Sequence, residues 1–195
     1  MRFDPTKARW TLVSAALALA LDLGAKLLAT GALASGEMRE ITPFFSLVLV
    51  ENRGAAFSLF AASGDGQGLK MTILALLAML PLAWFYRRAG AGDRSALVSL
   101  GAVLGGALGN IHDRLRHGAV TDFLDLHWGD YHWPAFNLAD VFVVAGILWL
   151  MRCALFDAFG AERRASGGAA RPPGPPRTAK AGNGRQRSGK KGKRG

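Results

Sequence analysis

A chain of 195 residues, half of them hydrophobic and 19 % charged, carries fewer charges than the roughly 25 % of a soluble domain. Its net charge of +10 would suit a nucleic-acid binder, but half of the basic residues lie between Arg152 and Arg194, in a Gly- and Pro-rich tail. The single cysteine, Cys153, excludes an intrachain disulfide framework and, in an apolar run with no histidine near it, reads as a small packing residue.

The first apolar run extends from Trp10 to about Thr30, close to the roughly 20 residues a helix needs to cross a bilayer. Its basic start and Ala32-Leu33-Ala34 also fit a cleavable signal, whose apolar core is usually about 7–15 residues. This run is longer and contains Asp22 and Lys26, so it is read as a retained span. Those two residues are four apart, share a helical face, and form either a self-contained ion pair or a brace for neighbouring helices. The spans that follow are Leu69–Tyr86, Ser95 to about Ile111, and Ala135 to about Phe156. Trp10, Trp84, Tyr86 and Trp133 fall near their ends, where aromatic rings favour the interface.

Lys and Arg cluster before the first span, between the second and third (Arg87, Arg88, Arg94), and after the fourth. The positive-inside rule assigns these segments and both termini to the cytoplasm, and turns residues 31–68 and 112–134 outward. The expected organisation is a four-helix membrane domain over residues 1–159 and a disordered basic cytoplasmic tail over 160–195. The tail is either simply solvated or bound to anionic headgroups.

Polar residues gather at the outward ends of the spans. In the third, Gly101, Gly105 and Gly109, with Gly106 alongside, form a small-residue stripe suited to close helix packing. The span ends in Asn110-Ile111-His112-Asp113-Arg114, with Asn110 and Arg114 on one face. The fourth begins Pro134-Ala135-Phe136-Asn137-Leu138-Ala139-Asp140, and proline suits a first helical turn. At about 1.5 Å per residue, Asp140 would then lie roughly 9 Å along the helix from Pro134, just below the outer interface. An isolated carboxylate there is costly, and sharing a proton with a second carboxylate relieves the cost. Asp113, Asp122, Asp125 and Asp130 are all candidates for that partner, Asp122 being flanked by apolar residues. Two close carboxylates, one protonated and one ionised, can activate water as an aspartyl peptidase does.

Other chemistries are less well supported. No G-x-S-x-G elbow is present, and His112, His117, His127 and His132 form no H-E-x-x-H pair. An ion relay through Asp22, Lys26 and Asp140 would need polar residues through the full membrane depth, and the inner halves of the spans are apolar. A scaffold built on the Gly stripe and basic tail gives no reason for Asn–Asp and Asn–Arg pairings at one depth.

Five motifs occur in order: Asp22 with Lys26, Asn52-Arg53-Gly54-Ala55-Ala56-Phe57-Ser58, Gly106-Ala107-Leu108-Gly109-Asn110 with Asp113-Arg114, Val120-Thr121-Asp122-Phe123, and Phe136-Asn137-Leu138-Ala139-Asp140. Together they resemble the bacterial lipoprotein signal peptidase family from about Trp10 to Phe156. Leu23 stands where many members carry glutamine, and the long basic tail departs from the compact family pattern.

The resemblance implies a four-transmembrane-helix bundle with a small extracytoplasmic β-cradle, for which residues 40–60 have suitable composition. It implies an inner-membrane aspartyl endopeptidase that removes signal peptides from prolipoproteins, cutting before a diacylglyceryl-modified cysteine. Asp122 and Asp140 would be the catalytic pair. Asn52, Gly54, Asn110, Arg114 and Asn137 would position substrate or the pair, with Asp22 and Lys26 bracing the site. The expected partners are diacylglyceryl-modified prolipoproteins and membrane lipids. No nucleic acid, metal or organic cofactor is expected, and the chain is read as a monomer.

Overall fold

A computed structural model describes residues 4–53, 73, 76, 77 and 79–167, the last eleven of these as backbone alone. The chain forms two compact units, Met1–Ala158 and Phe159–Gly195. The described part of the second is helical backbone over residues 159–167, and the polar cluster lies wholly in the first. Gly54, part of the expected second span and most of the basic tail fall outside the described residues.

Helix α1 (Pro5–Ala32) starts where the Asp4 carboxylate accepts the N–H groups of Thr6 and Lys7, with proline in the first turn. Its inward face is made of Ala8, Thr11, Ala15, Ala18, Asp22, Lys26 and Ala29, spaced three or four apart. Large apolar side chains such as Leu12, Leu17, Leu21, Leu27 and Leu28 point away from the protein. Small residues inward and leucines outward is the arrangement a lipid solvent selects, because leucine gains little by leaving hydrocarbon while small residues permit close backbone contact.

Helix α2 (Leu80–Arg88) ends in Arg87 and Arg88. Helix α3 (Arg94–His117) is capped by the Asp93 carboxylate on the Ala96 N–H and closed by Gly118 at φ 73°. It extends six residues past the expected end at Ile111, so Asn110, Asp113 and Arg114 are held on a helix. The glycine stripe lies against α1: a methyl group on Gly101 or Gly105 would strike the α1 backbone, and one on Gly109 would strike the Asp22 carboxylate.

Helix α4 (Leu138–Gly167) packs on another side of α3. Gly106 meets the Ala139 carbonyl, and a Cβ on Gly146 would lie 2.9 Å from the Ser99 carbonyl. Among the described residues three helical segments are long and apolar enough to span a membrane: Pro5–Ala32, Arg94–His117 and Leu138–Phe156.

Four antiparallel strands complete the first unit in the order β1 (Met38–Thr42), β2 (Phe45–Asn52), β3 (Val120–Trp128) and β4 (Tyr131–His132). The first two fall within or beside the stretch expected to form a cradle. The other two come from the second long connection, which the sequence reading left without a strand. In the β2–β3 ladder Val50 faces Asp122 and Asn52 faces Val120, with an irregularity between Leu47 and Val50.

Phe136 extends this pairing. Its carbonyl accepts the N–H groups of Phe123 and Leu124, and its own N–H donates to the Leu124 carbonyl. The expected helix start at Ala135, with Pro134 in its first turn, is therefore corrected. Residues up to Phe136 are bound to the sheet, and the helix begins at Leu138.

Candidate active site

The start of α4 organises the site. The Asn137 side-chain oxygen accepts the Asp140 N–H at 3.0 Å, and the Asp140 carboxylate accepts the Asn137 N–H at 3.3 Å. This is a reciprocal capping box, which satisfies two donors that a helix start otherwise leaves unpaired. The Ala139 N–H donates to Asp22 Oδ1 at 2.8 Å, so α1 supplies another cap. Asp140 thus sits in the first helical turn, where the aligned peptide dipoles favour a negative group.

Capping also fixes the orientation of Asn137. With its oxygen committed to the helix, its Nδ2 faces the sheet and donates to Asp122 Oδ1 at 2.7 Å. Weaker contacts from the same nitrogen reach Asn110 Oδ1 at 3.1 Å and the Thr121 carbonyl at 3.3 Å. Asn137 is fully buried. From β2, Asn52 Nδ2 donates to the other oxygen of Asp122 at 2.9 Å.

Asn110 is oriented in the same way by a charge. Lys26 Nζ has three protons and three acceptors: Asp22 Oδ2 at 2.7 Å, Asp113 Oδ2 at 2.9 Å and Asn110 Oδ1 at 3.0 Å. The ammonium takes the Asn110 oxygen, so its nitrogen turns the other way and donates to Asp140 Oδ1 at 2.9 Å. Two amides, each locked from behind, therefore present N–H groups to two carboxylates. Arg114 donates to the Asn110 carbonyl at 3.4 Å, and its guanidinium lies within electrostatic reach of Asp140, Asp122 and Asp113.

Burial pushes the Asp122 carboxyl up to about 6. The hydrogen bond from Asn52 opposes this, the neighbouring Asp140 charge adds to it, and the Asn137 bond and Lys26 charge oppose it again. The influence of Asp140 on Asp122 is the electrostatic mark of two carboxylates in one site.

Of the four candidate partners for Asp140, only Asp122 shares its amide bridges. Asp113 is taken by Lys26 and by the Thr121 N–H at 3.1 Å, Asp125 pairs with His132 at 2.9 Å, and Asp130 lies in the β3–β4 turn. The structure thus brings Asp22, Lys26, Asn52, Asn110, Arg114, Asp122, Asn137 and Asp140 into one network. Asp113 and the Ala139 N–H belong to the same network and were absent from the expected site set. Their signal was helical spacing, since Asp113 follows Gly109 by four and so faces α1.

Among the described residues no histidine bonds to Asp122 or Asp140, although His112 Nδ1 lies 3.6 Å from Asp113 Oδ1. His127 contacts Ser46 Oγ at 3.0 Å, and its ring stacks on that of His132 with centroids 5.0 Å apart. Among the described residues no three His, Cys, Asp or Glu side chains converge as a metal-holding group.

Residues 14–156 match the family model described as signal peptidase (SPase) II. The lipoprotein signal peptidase of Burkholderia thailandensis is 48 % identical over 118 residues, 60 % of this chain and 70 % of that one. The protein of the same name from Ralstonia nicotianae is 47 % identical over 131 residues, 67 % of this chain and 75 % of its own. Among solved structures, a bacterial membrane enzyme determined in meso at 1.9 Å superposes with a TM-score of 0.64 at 25 % identity, covering 74 % of this chain and 92 % of that one. A second such structure, at 2.3 Å, gives a TM-score of 0.62.

Proposed function

This chain belongs to the signal peptidase II family, and we propose that it is an intramembrane aspartyl endopeptidase removing signal peptides from prolipoproteins. The observation that carries this reading is the pair of carboxylates, Asp122 and Asp140, each held by a buried asparagine amide whose orientation is fixed by another group.

Hydrolysis needs a base to take a proton from water and an acid to donate one to the peptide oxygen. Asp122, buried and raised to about 6, is the member suited to carry the shared proton. Asp140, accepting N–H groups from Asn110 and Asn137 at a helix start, is suited to receive the water proton. As water attacks, Asp140 takes its proton and Asp122 protonates the carbonyl oxygen, giving a neutral gem-diol. Asp140 returns its proton to the leaving nitrogen while ionised Asp122 takes one back from a gem-diol hydroxyl. The C–N bond breaks to give carboxylic acid and amine, and the pair regains its starting state. Asn52 and Asn137 hold Asp122, while Asn110 and Asp22 hold Asp140 and the helix that bears it. Arg114 offsets the negative charge of the pair, and Gly54 is assigned to substrate positioning by the family resemblance alone.

The substrate reading follows the family: a prolipoprotein cut before its diacylglyceryl-modified cysteine. Such a substrate is anchored by its own lipid, so it reaches the site sideways, with the scissile bond near the depth of Asp140. Lys7 and Arg9 at the start of α1, the arginines around the α2–α3 connection and the basic tail support a bacterial inner-membrane topology with cytoplasmic termini and an outward-facing site. Four spans, an extracytoplasmic sheet and a monomeric protein complete the reading.

The test is cleavage of a diacylglyceryl-modified prolipoprotein peptide by the purified chain, beside Asp122→Asn and Asp140→Asn. The wild type cuts at the lipidated cysteine, and both variants insert and fold but do not cut. Full activity in either variant removes that residue from the mechanism.

A further inference from the structure

We infer that the cleft between α1 and the outer end of α3 binds the headgroup of an anionic glycerophospholipid. The cleft encloses about 550 Å³. Its floor is the Lys26–Asp113 ion pair, its wall includes Leu23 and Leu27, and Arg116, His112 and His117 stand around it.

Three observations point to an anionic, lipid-borne ligand. The one carboxylate in the cleft is already engaged, Asp113 Oδ2 accepting both Lys26 and the Thr121 N–H. Of the basic groups around it, Arg116 has no ion-pair partner among the described residues, while His112 Nδ1 stands 3.6 Å from Asp113 Oδ1 without a hydrogen bond. Apolar surface adjoins them, because Leu27 is 75 % exposed and Leu28 equally so, on the α1 face that meets hydrocarbon.

Acyl chains alone would leave the buried His112 nitrogen without an acceptor, which is costly. A headgroup answers both needs. Its phosphate oxygens accept from Arg116 and the imidazoles, its polar end meets the Thr30 and Thr121 side of the cleft, and its acyl chains lie along Leu23 and Leu27. The leaflet follows from the orientation proposed above, but binding itself does not depend on cleavage activity.

The full-length chain, purified in mild detergent, is titrated with phosphatidylglycerol or phosphatidylcholine of matched chains. Retained lipid is counted by native mass spectrometry, and the thermal midpoint is recorded alongside. The comparison protein is Arg116→Ala/His117→Ala, whose two side chains are exposed and outside the peptidase network. The basic tail is present in both proteins, so its own lipid binding cancels.

The wild type retains one phosphatidylglycerol in preference to phosphatidylcholine, and the double variant binds it about tenfold more weakly. Equal retention by the variant, or equal retention of phosphatidylcholine, overturns the inference. So does an equal midpoint rise with inorganic phosphate alone, which would make the cleft a site for free anions. Cleavage assays run in parallel separate the two readings: lipid retention without cleavage overturns the peptidase, and cleavage without selective retention overturns the lipid site.

Discussion

At the level of single residues, the proposed mechanism turns on one proton. Asp122 must hold it to act as the acid, and its carboxyl is raised to about 6 chiefly by burial. As pH rises through that value the proton is lost, the pair becomes doubly ionised, and the acid disappears. The expected kcat/KM profile therefore falls on the alkaline side with an apparent value near 6, a property of the coupled pair. Asn52 donates to Asp122 and so favours its ionised form. Asn52→Ala removes that preference, and the descending limb should move to higher pH while overall activity drops. A limb that stayed in place would show that Asn52 does not act on this proton. Much of this was legible from spacing: Asn137 and Asp140 are three apart, Asn110 and Arg114 four apart, and Asp22 and Lys26 four apart. Which carboxylate meets Asp140 was not. Apolar flanks favoured Asp122 among the four aspartates and the family resemblance named it, but only the shared Asn137 links it to Asp140 in space.

Among the elements, glycine governs how α1, α3 and α4 approach. Gly105 and Gly106 are neighbours in sequence but face different helices, Gly105 toward Ala15 and Ala18 of α1 and Gly106 toward Ala139 and Val143 of α4. Each should respond differently to a single methyl group. Gly105→Ala separates α1 from α3 and should cost about 1–3 kcal/mol of stability, read as a lower thermal midpoint. Gly106→Ala pushes on the residue next to Asp140, so its kcat should fall by more than its midpoint loss explains. Comparable losses of kcat at matched midpoints would contradict this division. The stripe itself was visible in the sequence because a spacing of four is a property of any helix. β3 was harder to see: Asp122, Phe123 and Asp125 are all buried, which breaks the alternation that marks a strand. Pro134 pointed to a helix start, but hydrogen bonds from Phe136 to Phe123 and Leu124 hold this stretch in the sheet.

Across the whole molecule, charge is segregated from chemistry. The basic tail supplies half of the chain's positive residues, yet every member of the hydrogen-bonded network lies between Asp22 and Asp140. Removing residues 168–195 should leave kcat and KM for a lipidated prolipoprotein peptide unchanged within about twofold, since every residue of the network lies between Asp22 and Asp140. A larger loss would assign the tail a part in substrate capture.

The Lys26 junction also bears on how the protein is made. The first helix to leave the ribosome carries Asp22 and Lys26 into the membrane, but their partners come late: Asn110 and Asp113 arrive with α3, and the Ala139 N–H with α4. Until the last helix inserts, Asp22 has no helix start to cap and Asn110 has no carboxylate to hold. On the proposed mechanism, nascent chains therefore lack the assembled site until the last helix is in place.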